Sequence, residues 1–451
     1  MRFAPPTIHA ARRGRLFRHR AGWCLVGTVL FGLIAADAGV LHAQESAAPP
    51  VLTLDEVIER ALVTDPAAVQ AATSVSLAEA NQLQARGTLL PTVNSSFTFA
   101  NSSNQRFDQT TGQLVSQNYS AQLQANYELF GGGRRLLQMR SAGAGMDAAQ
   151  AGLRAQRFNT ILNATATYFA AAAADDLLRA AEGRLERARQ QLVFAETRLE
   201  VGNATSSDVL RAELEVSNSE LAVLQARTSL EANRLQLGRL AGLEGEVSPS
   251  ADALPDRAPA LPDEDILVAR ALRSSPEVVA ARAQVNAASA DRLGAWTGYI
   301  PSVRFIGGYD WFAFQFPPDR RSWAFRLVAS LPLFNGFQRE TGIMRVNAQL
   351  RAAEARAADA DRAVRTLLRT AYRAVRTRER EVEIADRGVA LAREDLRVQE
   401  DRYQLGVANI VDLQTSQLAL ADAEAAAVVA RQALGTALAE LEAILGETLT
   451  S

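Results

Sequence analysis

The sequence predicts a mainly α protein with a β part: an internally duplicated protomer of long antiparallel coiled-coil helices that contributes four strands to a shared transmembrane β-barrel. Three observations carry that expectation. The chain repeats itself. Each copy holds a proline-free window of about 68 residues dominated by Ala, Leu, Arg, Glu and Gln, all strong helix formers. In each copy the apolar period changes from helical to two after a proline, at Pro91 and at Pro301.

Residues 1–43 read as an export signal. Arg12, Arg13, Arg15, Arg18 and Arg20 precede an apolar run from Trp23 to Ala36, small residues follow, and cleavage is expected after Ala43. The run is short for a membrane-spanning helix; an uncleaved anchor is the alternative. Lipid attachment at Cys24 is disfavoured, because Trp23 stands where such a site needs a small residue. His9, His19, His42 and Cys24 are the only histidines and the only cysteine, all four lie in this segment, and the chain contains no lysine. The remainder therefore lacks a His-based triad, a thiolate nucleophile, an ordinary zinc site, a Schiff-base lysine and a P-loop. A paired-carboxylate hydrolase is the one common mechanism left, and no paired acids mark a recognisable pocket. The expectation is a chain that is not an enzyme and has no cofactor and no metal. Six of the 48 basic residues and one of the 50 acidic ones fall in the segment, so the rest is net negative and nucleic acid is not an expected partner.

The repeat is read from landmarks. Pro66 and Pro91 are 25 residues apart, as are Pro276 and Pro301, which sets an offset of 210. From Leu129-Phe130-Gly131 and Leu333-Phe334-Asn335 onward the offset is 204, and it holds through Tyr168 and Tyr372, Gly202 and Gly406, Asp208 and Asp412, and Gly242 and Gly446. The gap of six falls between Pro91 and Phe130, so that element has a length-tolerant loop, a property of hairpin tips. The expected organisation is a first repeat over 44–242 (helices 54–90, hairpin 92–130, helices 134–241), a linker over 243–262 rich in Pro, Asp, Ala and Ser, a second repeat over 263–446 (helices 263–300, hairpin 302–333, helices 338–445) and a tail over 447–451.

Residues 134–201 and 338–405 are each expected to form one helix about 100 Å long at 1.5 Å per residue. In the second, Val346, Leu350, Ala353, Ala357, Ala360, Val364, Leu367, Ala371 and Ala374 alternate spacings of four and three, the 3.5-residue period of a left-handed supercoil. Residues 67–90 and 206–241, laid end to end, nearly match one long helix. The seam is mostly Ala, so backbones approach closely and the assembly curves into a thin wall. An ordinary dimeric coiled coil is the plainer reading of this region taken alone.

The strands bear on the membrane question. Ala121, Leu123, Ala125, Tyr127 and Leu129 alternate with Gln122, Gln124, Asn126 and Glu128. Val93, Phe97 and Phe99 alternate with polar residues in the same way. The second copy supplies Val303, Phe305, Tyr309 and Trp311, then Trp323, Phe325, Leu327, Ala329 and Leu331. Aromatic residues on an outer face are expected at the boundaries of a lipid layer, so Phe97, Phe99, Tyr127, Phe305, Tyr309, Trp311, Trp323 and Phe325 are the candidate lipid face. Four strands do not close a barrel, and an open edge in lipid leaves backbone groups unsatisfied, so several chains must share one. Two would give eight strands and three would give twelve; the residues do not choose.

With these motifs in order, twice, the sequence resembles the TolC family of outer-membrane efflux and secretion channels over nearly all of residues 50–446. The features that match are the duplicated Pro-to-Pro helices, the two hairpins, Leu129-Phe130-Gly131-Gly132-Gly133, Leu333-Phe334-Asn335-Gly336, Tyr168 and Tyr372, and the turns Val201-Gly202 and Leu405-Gly406-Val407. The resemblance implies a homotrimer with a twelve-stranded barrel in outer-membrane lipid and a twelve-helix periplasmic α-barrel. It implies a periplasmic adaptor (membrane fusion) protein and an inner-membrane transporter as partners, and a belt to which the linker and tail contribute. It places Gly202 and Gly406 at helix-tip turns where the adaptor docks. Asp208, Asp412, Thr415 and Tyr403 become the candidate aperture, with Asp412 repeated threefold as a carboxylate ring. For Asp208 a helix-start role after Ser206 and Ser207 is the competing reading. The family's second acidic ring falls on Thr415, which is not acidic, and the arginine expected near Ala408 is absent. The alternative function is a trimeric coiled-coil structural or adhesin protein, which would carry one terminal anchor rather than a mid-chain hairpin in both halves.

Overall fold

A computed structural model describes residues 49–451 apart from 109–111, 252, 448, 450 and 451. The expected export signal, its cleavage site and Cys24 lie outside the described residues. Strand β1 (Val51–Leu52) leads into α1 (Leu54–Thr64) through a capping box, in which the Thr53 side chain takes the Glu56 amide and Glu56 reaches back to the Thr53 backbone. Asp65 then caps α2 (Pro66–Gly87), whose first residue is the proline that breaks α1 from it.

Strands β2 (Thr92–Asp108) and β3 (Gln113–Phe130) form the first hairpin, and α3 (Arg134–Glu200) runs 67 residues without a break. Helix α4 (Ser206–Leu240) returns along it, and β4 (Ser248–Pro249) pairs in parallel with β1. The second copy repeats the plan with α5 (Glu264–Ser274), α6 (Pro276–Trp296), β5 (Ser302–Ala313), β6 (Arg320–Ser330), α7 (Gln338–Gln404) and α8 (Ile410–Leu445).

Helix α3 is the spine of the wall. Arg135 donates to Thr88 O and Thr160 to Asp65, so α2 covers its sheet-proximal half; Arg234 pairs with Asp175 and Arg184 with Glu215, so α4 covers the distal half. The two shorter helices do lie end to end along the long one. On the other side α3 packs on α6 and then α8, and these in turn pack on α7. Gly435 of α8 allows a close approach to α3, since a methyl there would stand 2.4 Å from the buried Phe169 ring.

The seam on α7 begins as its spacing predicts, with Leu350, Val364 and Ala371 buried, but Leu367 is 48% exposed and Leu368 fully buried. From there burial passes to Val375 and Val382 rather than Ala374. The reason is geometric: an α-helix drifts about 20° per heptad against a strict 3.5 repeat. Three heptads after Val346 that drift is enough to hand the buried position to the next residue.

The segment expected as a linker also packs. Leu243, Val247 and Leu254 join Val57, Leu237 and Tyr168 in one apolar cluster. Ser250 N donates to the Tyr168 hydroxyl at 3.1 Å, and that hydroxyl donates to Leu52 O at 3.3 Å. Tyr168 thus ties β1 to the connection between the halves, whereas its repeat partner Tyr372 is only partly buried against the second cluster.

The sheet runs β2-β3-β5-β6, all antiparallel, with β2 and β6 at its edges. Where each long helix begins, the copies differ. Gly133 precedes α3 at φ +84°, and its repeat partner Phe337 precedes α7 at φ +64°. A left-handed conformation costs a side chain with Cβ about 1–2 kcal/mol that glycine avoids.

Candidate functional site

Two surfaces carry whatever this chain does: one face of the sheet and the distal end of the helices. In a sheet, residues paired across strands share a face, and the observed register aligns the candidate aromatic residues. Ser95, Leu123, Tyr309 and Trp323 form one row. Val93, Ala125, Gly307 and Phe325 form the next, and Tyr127, Phe305 and Leu327 another. Phe97 pairs with Ala121, which pairs with Trp311; Phe99 pairs with Tyr119. All eight candidates stand on one side. Tyr309 and Trp311 lie 4.6 Å apart, and Trp323 stacks on Phe325 at 6.0 Å.

The opposite face presents Asn94, Gln124, Gln122, Asp310 and Ser322, together with the row Glu128, Arg304 and Val328. One face is therefore mainly apolar and aromatic, with Arg321 opposite Trp311 toward the loop end, and the other mainly polar and charged, with Ile306 and Phe312 among it. Phe316, between β5 and β6, meets Phe97 and Tyr119 on the apolar face at 6.3 and 5.9 Å, while Trp323 is 70% exposed.

At the distal end, α3 turns into α4 and α7 into α8 through Gly202 and Gly406, at φ +76° and +78°. Asn203 N donates back to Arg198 O at 2.8 Å, and Val407 N to Arg402 O at 2.9 Å. These bonds satisfy carbonyls at the helix ends, and the left-handed conformation is the reason each turn needs glycine.

The structure separates the aperture candidates into two groups. Asp208 sits in a capping box with Thr205, taking its backbone amide and its hydroxyl at 2.9 Å each while its own amide donates to Thr205 Oγ1. The Thr205 amide holds the Asp208 carboxyl below the ordinary aspartate range; the Thr205 hydroxyl, Arg211 and Arg198 act in the same direction, against the effect of burial. Tyr403 is buried among Ala195, Ala212, Leu396, Ile410 and Leu413, and burial raises its hydroxyl.

Arg198 belongs to this group and was not singled out from the sequence. Its guanidinium stands 5.0 Å from the Tyr403 ring centre and donates to Tyr403 O at the end of α7 and to Asn203 O at 3.2 Å. It joins the two helical hairpins from α3, whereas Ala408, where the resemblance calls for an arginine, belongs to the α7–α8 turn. Its place two residues before the end of α3 was the available signal, since cations favour the last turn.

Asp412 and Thr415 lie apart from that group, on an exposed strip of α8. Asn409 caps this helix by accepting the Asp412 amide at 2.8 Å, and the Thr415 hydroxyl donates to Val411 O. The strip continues through Ala419 to Asp422, an exposed acid seven residues past Thr415 that the heptad spacing picks out.

Asp208 makes a pH prediction. A carboxyl whose value is lowered by folding lends stability that is complete above its unfolded value and is lost as pH falls through the folded one. Acidification below the ordinary aspartate range is therefore expected to loosen the α3–α4 turn, seen as faster hydrogen exchange at residues 201–208. Asp208→Asn should remove that pH dependence; an unchanged acid response in the variant contradicts the assignment.

A duplicated protomer with long paired helices and an open four-stranded sheet, apolar on one face and polar on the other, defines the class of outer-membrane channel subunits. The chain belongs to the family described as outer membrane efflux protein, matched over residues 57–243 and 267–447. It is an outer-membrane efflux or export channel protein, not an enzyme, and the family sets aside the adhesin alternative.

Protein CyaE of Bordetella pertussis is 28% identical over 376 residues, 81% of this chain and 78% of that one. The pyoverdine export outer membrane protein OpmQ of Pseudomonas putida is 26% identical over 395 residues, 82% and 81% of the two chains. Among solved structures, CusC is similar with a TM-score of 0.76 at 18% identity, covering 87% of this chain and 92% of its own. The Vibrio cholerae outer membrane protein VceC gives 0.74 at 18%, covering 88% and 96%. At those identities the structures speak for the fold.

Proposed function

We propose that three copies of this chain close one twelve-stranded barrel in outer-membrane lipid and one twelve-helix tunnel in the periplasm. The assembly is a passive exit duct, gated at its periplasmic tip, for a tripartite efflux or type I secretion system. An adaptor docks around the turns at Gly202 and Gly406, and an inner-membrane transporter supplies the energy. The eight aromatic residues face lipid, and Asp412 faces the lumen of the tip. The count of three and the two partners are what the resemblance implies.

One observation carries the ring. Helices α4 and α7 are the two edges of the distal wall, and each bears an uncovered apolar stripe. On α4 it is Leu210, Leu214, Leu221, Leu224 and Leu235, 50–64% exposed and at heptad spacing. On α7 it is Ile384, Leu391 and Val398, continued by Leu405 just past its end, seven residues apart and 38–79% exposed. Two different stripes on opposite edges make a head-to-tail contact, which generates a closed ring when the rotation closes. The sheet has the same need, since β2 and β6 each leave a ladder unpaired that lipid does not satisfy.

Planar-bilayer recording of the purified protein tests the duct. Arg198→Ala, which frees the Tyr403 carbonyl and ring, is expected to produce stepwise cation-selective openings more often than the parent. Adding Asp412→Asn should reduce the cation preference severalfold without closing the pore. Silence from Arg198→Ala removes the duct, and an unchanged preference removes Asp412 from its lumen.

A further inference from the structure

The turn between β6 and α7 holds an apolar patch for which packing within the chain gives no reason. Leu333, Phe334 and Phe337 are 85%, 74% and 64% exposed, and the two rings meet edge to face at 5.5 Å. The turn is not loose. Arg339 donates to Pro332 O at 3.1 Å while its guanidinium lies 3.9 Å from the Tyr299 ring centre, and the Thr341 hydroxyl donates to Phe337 O at 2.9 Å. Phe337 is the one side chain other than glycine with a positive φ among the described residues. A phenylalanine is thus held in a conformation suited to glycine and gains no burial there.

The internal repeat shows what an assembled neighbourhood leaves open at this place. Gly133 and Phe130 stand where Phe337 and Phe334 stand in the second copy, and their flanks, β2 with α2 and β5 with α6, are all in the chain. Even so flanked, a methyl on Gly133 would meet nothing within 4 Å, and Phe130 stays 50% exposed. A second copy seated beside β6 and α7 in the same way therefore leaves room at the Cβ of residue 337 and leaves Phe334 about half exposed, as Phe130 is.

The patch also follows in sequence from the apolar side of the sheet, from Leu327 and Ala329 on β6 through Leu331 and past Pro332. We propose that Phe337, with Phe334 and Leu333, is an anchor that seats the start of α7 in the boundary between headgroups and acyl chains of the inner leaflet of the outer membrane. This rests on the reading that the aromatic face of the sheet lies in lipid. Aromatic rings are suited to that boundary layer. Placing them on the turn rather than on a strand fixes how far the barrel sinks, because the turn is pinned to the helix by Arg339. The first copy keeps Leu129 and Phe130, 49% and 50% exposed, but has Gly133 in the place of Phe337.

Collision accessibility of a nitroxide tests this in the full chain carrying Cys24→Ser, reconstituted in phosphatidylethanolamine and phosphatidylglycerol vesicles. Labels go on Phe337→Cys, on Phe334→Cys in case position 337 tolerates only its native ring, on Phe325→Cys as the sheet-face reference and on Arg362→Cys as the mid-helix reference. The expected result is a ratio of oxygen to nickel-chelate accessibility at 337 and 334 severalfold above that at 362 and below that at 325. A water-like ratio at 337 and 334 beside a lipid-like ratio at 325 overturns the anchor and leaves the lipid face standing. Protection from both reagents at 337 and 334 also overturns it, in favour of cover by a second copy. A water-like ratio at 325 removes the lipid face itself.

Discussion

Replacing Leu221 and Leu224 together by aspartate is expected to leave a folded protomer that no longer assembles. Both side chains lie on the exposed edge of α4, 55% and 62% accessible, and neither belongs to a core cluster, so the single chain loses little. In the proposed ring each leucine would be buried against a neighbour, and burial of a leucine side chain is worth roughly 1.5–3 kcal/mol. Two per interface and three interfaces multiply that loss, and an unpaired carboxylate forced into the contact adds a desolvation cost of several kcal/mol. Loss of the heat-modifiable trimer band on gels, with helical circular dichroism unchanged, is the expected readout. A trimer that survives both substitutions places the ring contact somewhere other than these stripes.

The sequence makes the architecture legible because its two periods are strong. A long proline-free run of Ala, Leu, Arg, Glu and Gln favours helix over strand, and alternation in β3 and β6 fixes which side chains share a face once strands pair. That is why all eight aromatic residues fall on one side of the sheet. What a period does not give is the register of long helices against one another. The move of burial from Leu367 to Leu368 accumulates over three heptads and depends on how far α7 is wound by its neighbours.

The tip was legible in its turns and less so in its side chains. Gly202 and Gly406 are required by backbone conformation, which a sequence reveals. The capping partner of Asp208 is Thr205 rather than Ser206 or Ser207, a choice made by where the helix starts, and boundaries are the weakest part of any pattern. Arg198 offered only its place in the last turn of α3, and its role was hidden for a different reason. Its partners Tyr403 and Asn203 come from two separate turns, so only the packing of α3 against the α7–α8 hairpin brings them to one guanidinium.

Phe325→Arg is expected to abolish stable insertion, whereas Ser322→Arg is expected to be tolerated. Phe325 sits near the middle of β6, paired with Gly307 on the aromatic face; Ser322 pairs with Asp310 on the polar one. An arginine facing lipid near the bilayer midplane costs about 2–4 kcal/mol, falling toward zero near the boundaries. A homotrimer carries three, so the assembled barrel loses on the order of 6–12 kcal/mol, comparable to the whole stability of a typical domain. At position 322 the same guanidinium would face Asp310 across the pair and, in the proposed barrel, the water of the lumen, where the charge is solvated. The comparison holds size and charge constant and changes only the face, so general disruption of β6 is controlled for. Urea extraction of outer-membrane fractions gives the measurement: the Phe325 variant should be extracted or degraded and the Ser322 variant retained. Equal retention of the two would mean that the aromatic face does not meet lipid, and the barrel would have to be rebuilt with its polar side outward.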